Sequence, residues 1–194
     1  MKKSLCTMLT GALCLAALPI AQADDSFTPD TTHFVIDLGG HKGGDNLVTT
    51  TLFPSGETKT VDAGDGVFGD FGIQHNFADS NWAWKATYGL DTTKTSGNTG
   101  DIRFRSNPVD LLALYSVGDN HFGIGATQHM NTRLDFEGPG VHSDFNNATG
   151  AIVQYQWWIF GARYTDINYK VSGTCVGKCS YDGSNLGVFM NFVF

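Results

Sequence analysis

The sequence predicts an all-β fold, an eight-stranded antiparallel up-and-down transmembrane β-barrel. Three observations predict it. Segments with a period of two recur eight times, each with one apolar face and one face of polar residues and glycine. The connections between them alternate between long and short. After residue 23 no stretch reaches the roughly 18 consecutive apolar residues of a membrane helix. A membrane chain without such helices is left with a closed barrel.

Residues 1–23 read as a cleaved signal peptide. Lys2 and Lys3 give a positive start, Leu9 to Ile20 an apolar stretch, and Ala21-Gln22-Ala23 the small residues of a cleavage site. The apolar run is too short to cross a hydrocarbon core of about 30 Å. Neither Cys6 nor Cys14 sits at the cut, which gives a lipoprotein little support. Cleavage leaves 171 residues and, with both lysines gone, moves the formal charge from −7 to −9. That acidity argues against nucleic acid as a partner, because its binders carry basic patches. Residues 24–31 form a short N-terminal segment, and the barrel domain spans 32–194.

Strands are expected near 32–40, 66–77, 82–91, 107–116, 121–130, 148–157, 158–169 and 184–194. Successive side chains of a strand point to opposite faces. One face carries Phe34, Ile36 and Leu38; Val67, Phe71, Ile73 and Phe77; Trp82, Trp84, Tyr88 and Leu90; Val109, Leu111 and Tyr115. It continues with Phe122 and Ile124; Val153, Tyr155 and Trp157; and Phe160 and Tyr164. In the last strand Leu186, Val188, Met190, Phe192 and Phe194 share a face, with Phe189 on the other. The fourth strand is the least regular. Ile102 and Phe104 have the opposite parity to Val109 and Leu111, so a bulge is expected near Pro108, which lacks a ladder donor.

The polar face carries Asp37, Asp70, Gln74, Asn76, Lys85, Asp91, Asp110, His129, Gln154, Gln156, Arg163, Asn185 and Asn191, interspersed with glycines such as Gly39, Gly89 and Gly161. Periodicity alone does not say which face is inside. An eight-stranded barrel has an interior just wide enough for side chains, so long charged residues inside need small neighbours. Polar residues and glycine inside, apolar residues outside, is the transmembrane pattern. The alternative is a soluble lipocalin-like barrel with its apolar face inward.

Long loops are expected at 41–65, 92–106, 131–147 and 170–183, and tight turns at 78–81, 117–120 and 156–158. Aromatic residues crowd beside the short turns: Phe77, Trp82, Tyr115, Phe122, Tyr155, Trp157, Trp158 and Phe194. That is the place of a periplasmic interfacial girdle. Only Cys175 and Cys179 survive maturation. In an oxidising compartment they are expected to form a disulfide, since two thiols with no nearby His are too few ligands for a metal.

The C-terminal strand, ending Phe192-Val193-Phe194, resembles the C-terminal signal of Gram-negative outer membrane barrels. The segments Asn107-Pro-Val-Asp-Leu-Leu-Ala-Leu-Tyr115 and Gly161-Ala-Arg-Tyr-Thr-Asp-Ile-Asn-Tyr169 look like those of small proteobacterial barrels. Over residues 32–194 the chain resembles the OmpA-, OmpX- and OmpW-like group of eight-stranded outer membrane proteins. The resemblance implies a place in the bacterial outer membrane, with its lipid and lipopolysaccharide as surroundings. It also implies the barrel assembly machinery as a partner that reads Phe192 and Phe194, and no cofactor.

Enzymes are known on small barrels, but their residues match poorly here. Lipid A deacylases use a His-x-Ser pair, which this chain lacks; the comparable stretch reads Arg163-Tyr164-Thr165. A palmitoyltransferase needs His, Asp and Ser near the outer rim. His142, Ser143 and Asp144 are consecutive, a spacing that rarely holds a nucleophile and base in hydrogen-bond geometry. Outer membrane proteases use a larger barrel. No metal site is expected: His121 and His129 lie about 26 Å apart along one strand.

Lys85 and Arg163 facing Asp70, Asp91 and Asp110 are expected to form a luminal ion-pair network, with Asp70 or Asp110 pairing with Lys85 or Arg163. Buried charges are costly unless paired, and such a network blocks a narrow barrel rather than opening it. The acidic loop residues Asp45, Asp62, Asp65, Asp135, Glu137 and Asp144 match no calcium-loop spacing and read as solvated. Phe136, Val141 and Phe145 either contact a partner or pack on the rim. The first functional reading is a non-enzymatic barrel with a structural or surface-interaction role. The alternatives are an OmpW-like conduit for small apolar molecules through a gap in the wall and, behind it, a lipid A-modifying enzyme. No surface ligand is identified.

Overall fold

The computed structural model describes residues 30–51, 58–97, 100–136, 140–175 and 177–194. The expected signal peptide, nearly all of the 24–31 segment and Glu137 lie outside them. In chain order the strands are β1 (Thr31–Gly43), β2 (Asn46–Thr51), β3 (Thr58–Asp62), β4 (Gly66–Asn76), β5 (Trp82–Gly97), β6 (Gly100–Val117) and β7 (Asn120–Phe136). They continue with β8 (Val141–Asp144), β9 (Ala148–Trp157), β10 (Phe160–Asp166), β11 (Asn168–Lys170), β12 (Ser180–Asp182) and β13 (Asn185–Val193).

Eight of these are the staves of a closed barrel: β1, β4, β5, β6, β7, β9, β10 and β13. Each pairs antiparallel with its sequence neighbour, and β1 closes on β13 with Val35 opposite Val193 and Ile36 opposite Phe192. Closure removes the sheet edges that lipid cannot hydrate. The hairpins β2–β3 and β11–β12 sit at the end carrying the long connections, where β8 also extends from β7. At the other end the turns are tight. Gly118 at φ 57° and Trp158 at φ 54° place left-handed residues in two-residue connections. Strand β9 therefore ends at Trp157, and β10 begins at Phe160 rather than at the expected 158.

The apolar face is outward. Phe71, Trp82, Leu90, Leu111, Ile124, Val153, Trp157, Leu186 and Val188 are all more than half exposed. Asp37, Asp70, Lys85, Asp110, His129, Gln154, Arg163 and Asn191 are buried inside. A soluble barrel would leave no such continuous apolar girdle in water, so the inward-apolar alternative is excluded. From Trp82 to Leu90 the girdle runs roughly 26 Å along the strand, about 20 Å tall between backbone positions at a tilt of about 40°, before the side chains at each end are added. That matches the apolar band of an outer-membrane-type barrel.

Above the girdle the pattern inverts, and here the expected loops are corrected. Most of 92–106 is strand: β5 and β6 stay paired from Asp91↔Ser106 up to Gly97↔Gly100, with Thr92, Thr93 and Thr95 supplying a residue type favoured on pleated surfaces. Ile102 and Phe104 do not follow a parity change. They lie inward, in step with Ser106 and Asp110. Outside the bilayer a strand again buries its apolar face, so the same parity carries charge at membrane depth and hydrocarbon above it. The register shift lies opposite Ser106, where β7 inserts the extra residue beside Asn131 at φ 52°. The bulge expected near Pro108 therefore belongs to the partner strand. Pro108 itself interrupts the β5 ladder, and Asn107 Nδ2 donates to the Gly89 carbonyl at 3.3 Å.

Candidate functional site

The lumen at membrane depth is filled by two ionic groups. Arg163 on β10 reaches across the barrel, with Nη2 2.6 Å from Asp70 Oδ2 on β4 and Nη1 3.0 Å from Asp110 Oδ2 on β6. Its guanidinium lies 3.9 Å from the centroid of the Phe68 ring, a stacking geometry suited to a planar cation. Lys85 pairs with Asp37 rather than with Asp70 or Asp110. Asp37 also accepts from Asn191 Nδ2 at 2.6 Å, and Asn191 Oδ1 accepts from Gln156 at 3.1 Å. Phe189 lies between the two cations.

Asp91 does not join this group directly. Its carboxylate lies 3.0 Å from His41 Nε2, while His41 Nδ1 lies 2.7 Å from the Gly64 carbonyl. The glycines make the room. A Cβ on Gly89 would fall on the Asp70 carboxylate, and one on Gly161 would strike the Phe189 ring. Among the described residues Asp70 Oδ1, Asp110 Oδ1 and Arg163 Nε have no hydrogen-bond partner. Beside them is a cavity of about 20 Å³, room for about one water.

Over this sits an apolar plug of Val61, Ala63, Ile102, Phe104, Leu134, Phe145, Ala148, Ile167 and Tyr169. Phe104 meets Phe145 and Tyr169 edge-on at 5.7 and 5.5 Å. The Tyr169 hydroxyl lies 2.8 Å from His129 Nδ1, at the boundary between plug and lumen. Phe145 thus packs inward. His121 is far below, 2.7 Å from Ser116. Among the described residues no cluster of three or more His, Cys, Asp or Glu could hold a metal.

His142, Ser143 and Asp144 fall on strand β8. Alternation puts His142 and Asp144 on one side, 3.6 Å apart, and Ser143 on the other. Asp144 is also held by Arg133 Nε at 2.7 Å. A nucleophile facing away from its base is not an acyl-transfer site.

Cys175 and Cys179 form a disulfide. It closes a loop that presents Lys178, whose ammonium donates to Asp45 Oδ2 at 2.7 Å. The same oxygen accepts from the Asp182 amide at 2.7 Å. Asp45 therefore fastens the fourth long connection to the first. Lys178 foremost, then the Asp182 amide, holds its carboxyl below the ordinary value. A lowered folded-state value means that this fastening is complete above the ordinary value of 3.8 and lost as pH falls through the lowered one. Hydrogen exchange at the 178–182 amides should stay slow from neutral pH to about 4 and rise below it after correction for intrinsic rates. Asp45→Asn should remove that pH dependence; a profile unchanged in the variant would break the assignment.

Sequence reasoning placed Asp70, Lys85, Asp91, Asp110 and Arg163 on one face; the structure joins Asp70, Asp110 and Arg163 and gives Lys85 and Asp91 other partners. It missed His41, Phe68 and Phe189 as members. The parity of Phe68 with Asp70, and of Phe189 with Asn191, was the available signal.

No family model and no curated protein matches the chain. Two solved structures are similar to it in overall shape. One is the crystal structure of Neisserial surface protein A (NspA), with a TM-score of 0.46 and 10% identity, covering 85% of this chain and 100% of that one. The other is Ail, the attachment invasion locus protein of Yersinia pestis, with a TM-score of 0.39 and 10% identity, covering 84% and 99%.

Proposed function

We propose that the protein is a non-enzymatic outer membrane barrel whose role is structural or surface-interacting, exercised through the extension beyond the girdle. The observation that carries this reading is the doubly closed interior: the Arg163 and Lys85 groups at membrane depth and the aromatic plug above them. A filled lumen supports neither conduction nor a substrate cavity, which leaves the exterior and the long connections as the working surface. In this reading residues 1–23 direct export. Phe192 and Phe194 serve as the assembly signal, with Phe194 bonded through its backbone to Phe34 at the seam of the barrel.

In planar bilayers the purified barrel should give no single-channel steps. Overexpression should leave the lipid A mass profile unchanged. Discrete conductance or a new lipid A species would each end this reading.

One observation favours a lateral conduit as the second reading. The β5–β6 ladder lapses between Tyr88↔Val109 and Asp91↔Ser106, and the outer groove there includes Asp91 in its lining. Protection of a small apolar ligand by wild-type protein, lost on bridging this gap, would favour it.

A further inference from the structure

Ten lysines and arginines follow residue 23, and Lys85 and Arg163 are used inside the barrel. Of the remaining eight, four line one groove of about 860 Å³ on the outer wall: Lys94 on β5, Arg103 and Arg105 on β6, and Arg133 on β7. Every arginine other than Arg163 is among them. In a chain of formal charge −7 this is a concentration of positive charge against the overall balance. Its floor is the top of the apolar girdle at Leu90, with Val109 beside it.

The height of the groove is informative. Lys94 lies four residues above Leu90 and Arg105 four above Val109, roughly 13 Å along the strand and about 10 Å above the hydrocarbon edge at a tilt of about 40°. The headgroup layer is about 5–8 Å deep on each side of the hydrocarbon, so these cations stand at and just above it. We propose that the groove is a binding site for the phosphorylated headgroup of an outer-leaflet glycolipid, its acyl chains lying on the girdle below.

Lys94, Arg105 and Arg133 are engaged by carboxylates at the rim: Lys94 with Asp101, Arg105 Nε with Asp135 at 3.2 Å, and Arg133 Nε with Asp144 at 2.7 Å. Their side chains remain 39–50% exposed. Exposed ion pairs are individually weak, and a guanidinium takes a phosphate bidentately. A lipid phosphate therefore exchanges with these aspartates at little cost. The proposal rests on the outer membrane reading, which sets the long-connection end outside the cell.

The test is native mass spectrometry of the mature barrel in detergent, titrated with bis-phosphorylated lipid A. The variant Lys94→Gln/Arg105→Gln/Arg133→Gln should lose about ten-fold in affinity. The equally charged control Lys42→Gln/Lys59→Gln/Lys170→Gln should bind like wild type. Dephosphorylated lipid A should bind wild type and triple variant equally weakly. Equal loss in variant and control, or no loss in either, overturns the proposal. Complete displacement of the lipid by millimolar inorganic phosphate assigns a small-anion site and overturns the lipid as its occupant. The gel shift between unboiled and boiled samples reports the barrel separately, so failure of the membrane reading is seen on its own. Should the triple variant not fold, Arg105→Gln alone, at a half-exposed position, carries the same comparison.

Discussion

Arg163→Met should lower the stability of the barrel by about 3–5 kcal/mol, the cost of removing one partner from a buried ionic group. Arg163 is 8% exposed, and Asp70 and Asp110 2% each. Methionine fills much of the volume but leaves the carboxylates of Asp70 on β4 and Asp110 on β6, which share the Arg163 guanidinium, without that counter-charge. The loss is therefore electrostatic and is not repaired by packing. Removing the charges together should restore most of it: Arg163→Met with Asp70→Asn and Asp110→Asn leaves hydrogen-bonding groups and no orphan ions, and such whole-group replacements are often neutral. Urea unfolding in detergent, followed by loss of the unboiled gel mobility, measures both. A cost below about 1 kcal/mol for the single variant would show that water reaches these groups and that the lumen is not closed.

The staves were legible in the sequence because each carries two independent signals, period and polarity. Trp82–Leu90 alternates as a membrane strand must, and Asp70, Lys85, Asp110 and Arg163 share the opposite parity. What parity does not carry is azimuth. Lys85 and Arg163 are both inward cations, and only the barrel's shear decides that Arg163 reaches Asp70 and Asp110 while Lys85 reaches Asp37. Where the bilayer ends is equally invisible to periodicity. Past Leu90 and Val109 the solvent outside changes from lipid to water, and the rule for which face is apolar reverses. The sequence pattern at Ile102 and Phe104 is the trace of that reversal; without the height of the membrane it reads as a flip of the strand. The Asp45 fastening lay beyond reach for another reason: it joins residues 133 apart through loop contacts that no period announces.

The second large effect tests that reversal directly. Phe104→Ala should cost about 3–5 kcal/mol of the free energy holding the extension together, the range for deleting a buried aromatic side chain. Phe104 is 4% exposed and packs edge-on against Phe145 and Tyr169, so its loss opens a cavity between β6, β11 and the segment before β9. The plug lies beyond the girdle. Its weakening should therefore free the outer connections while the membrane staves persist. Cells carrying Phe104→Ala should show new protease cleavage within 140–183, with the girdle region still protected. Leu111→Ala is the matched comparison: at 59% exposed it faces lipid, where hydrocarbon replaces hydrocarbon and no cavity forms, so neither cleavage nor unfolding should change appreciably. If Phe104→Ala behaved like Leu111→Ala, Phe104 would belong on the outer face. The extension would then be loop rather than a second, water-facing core.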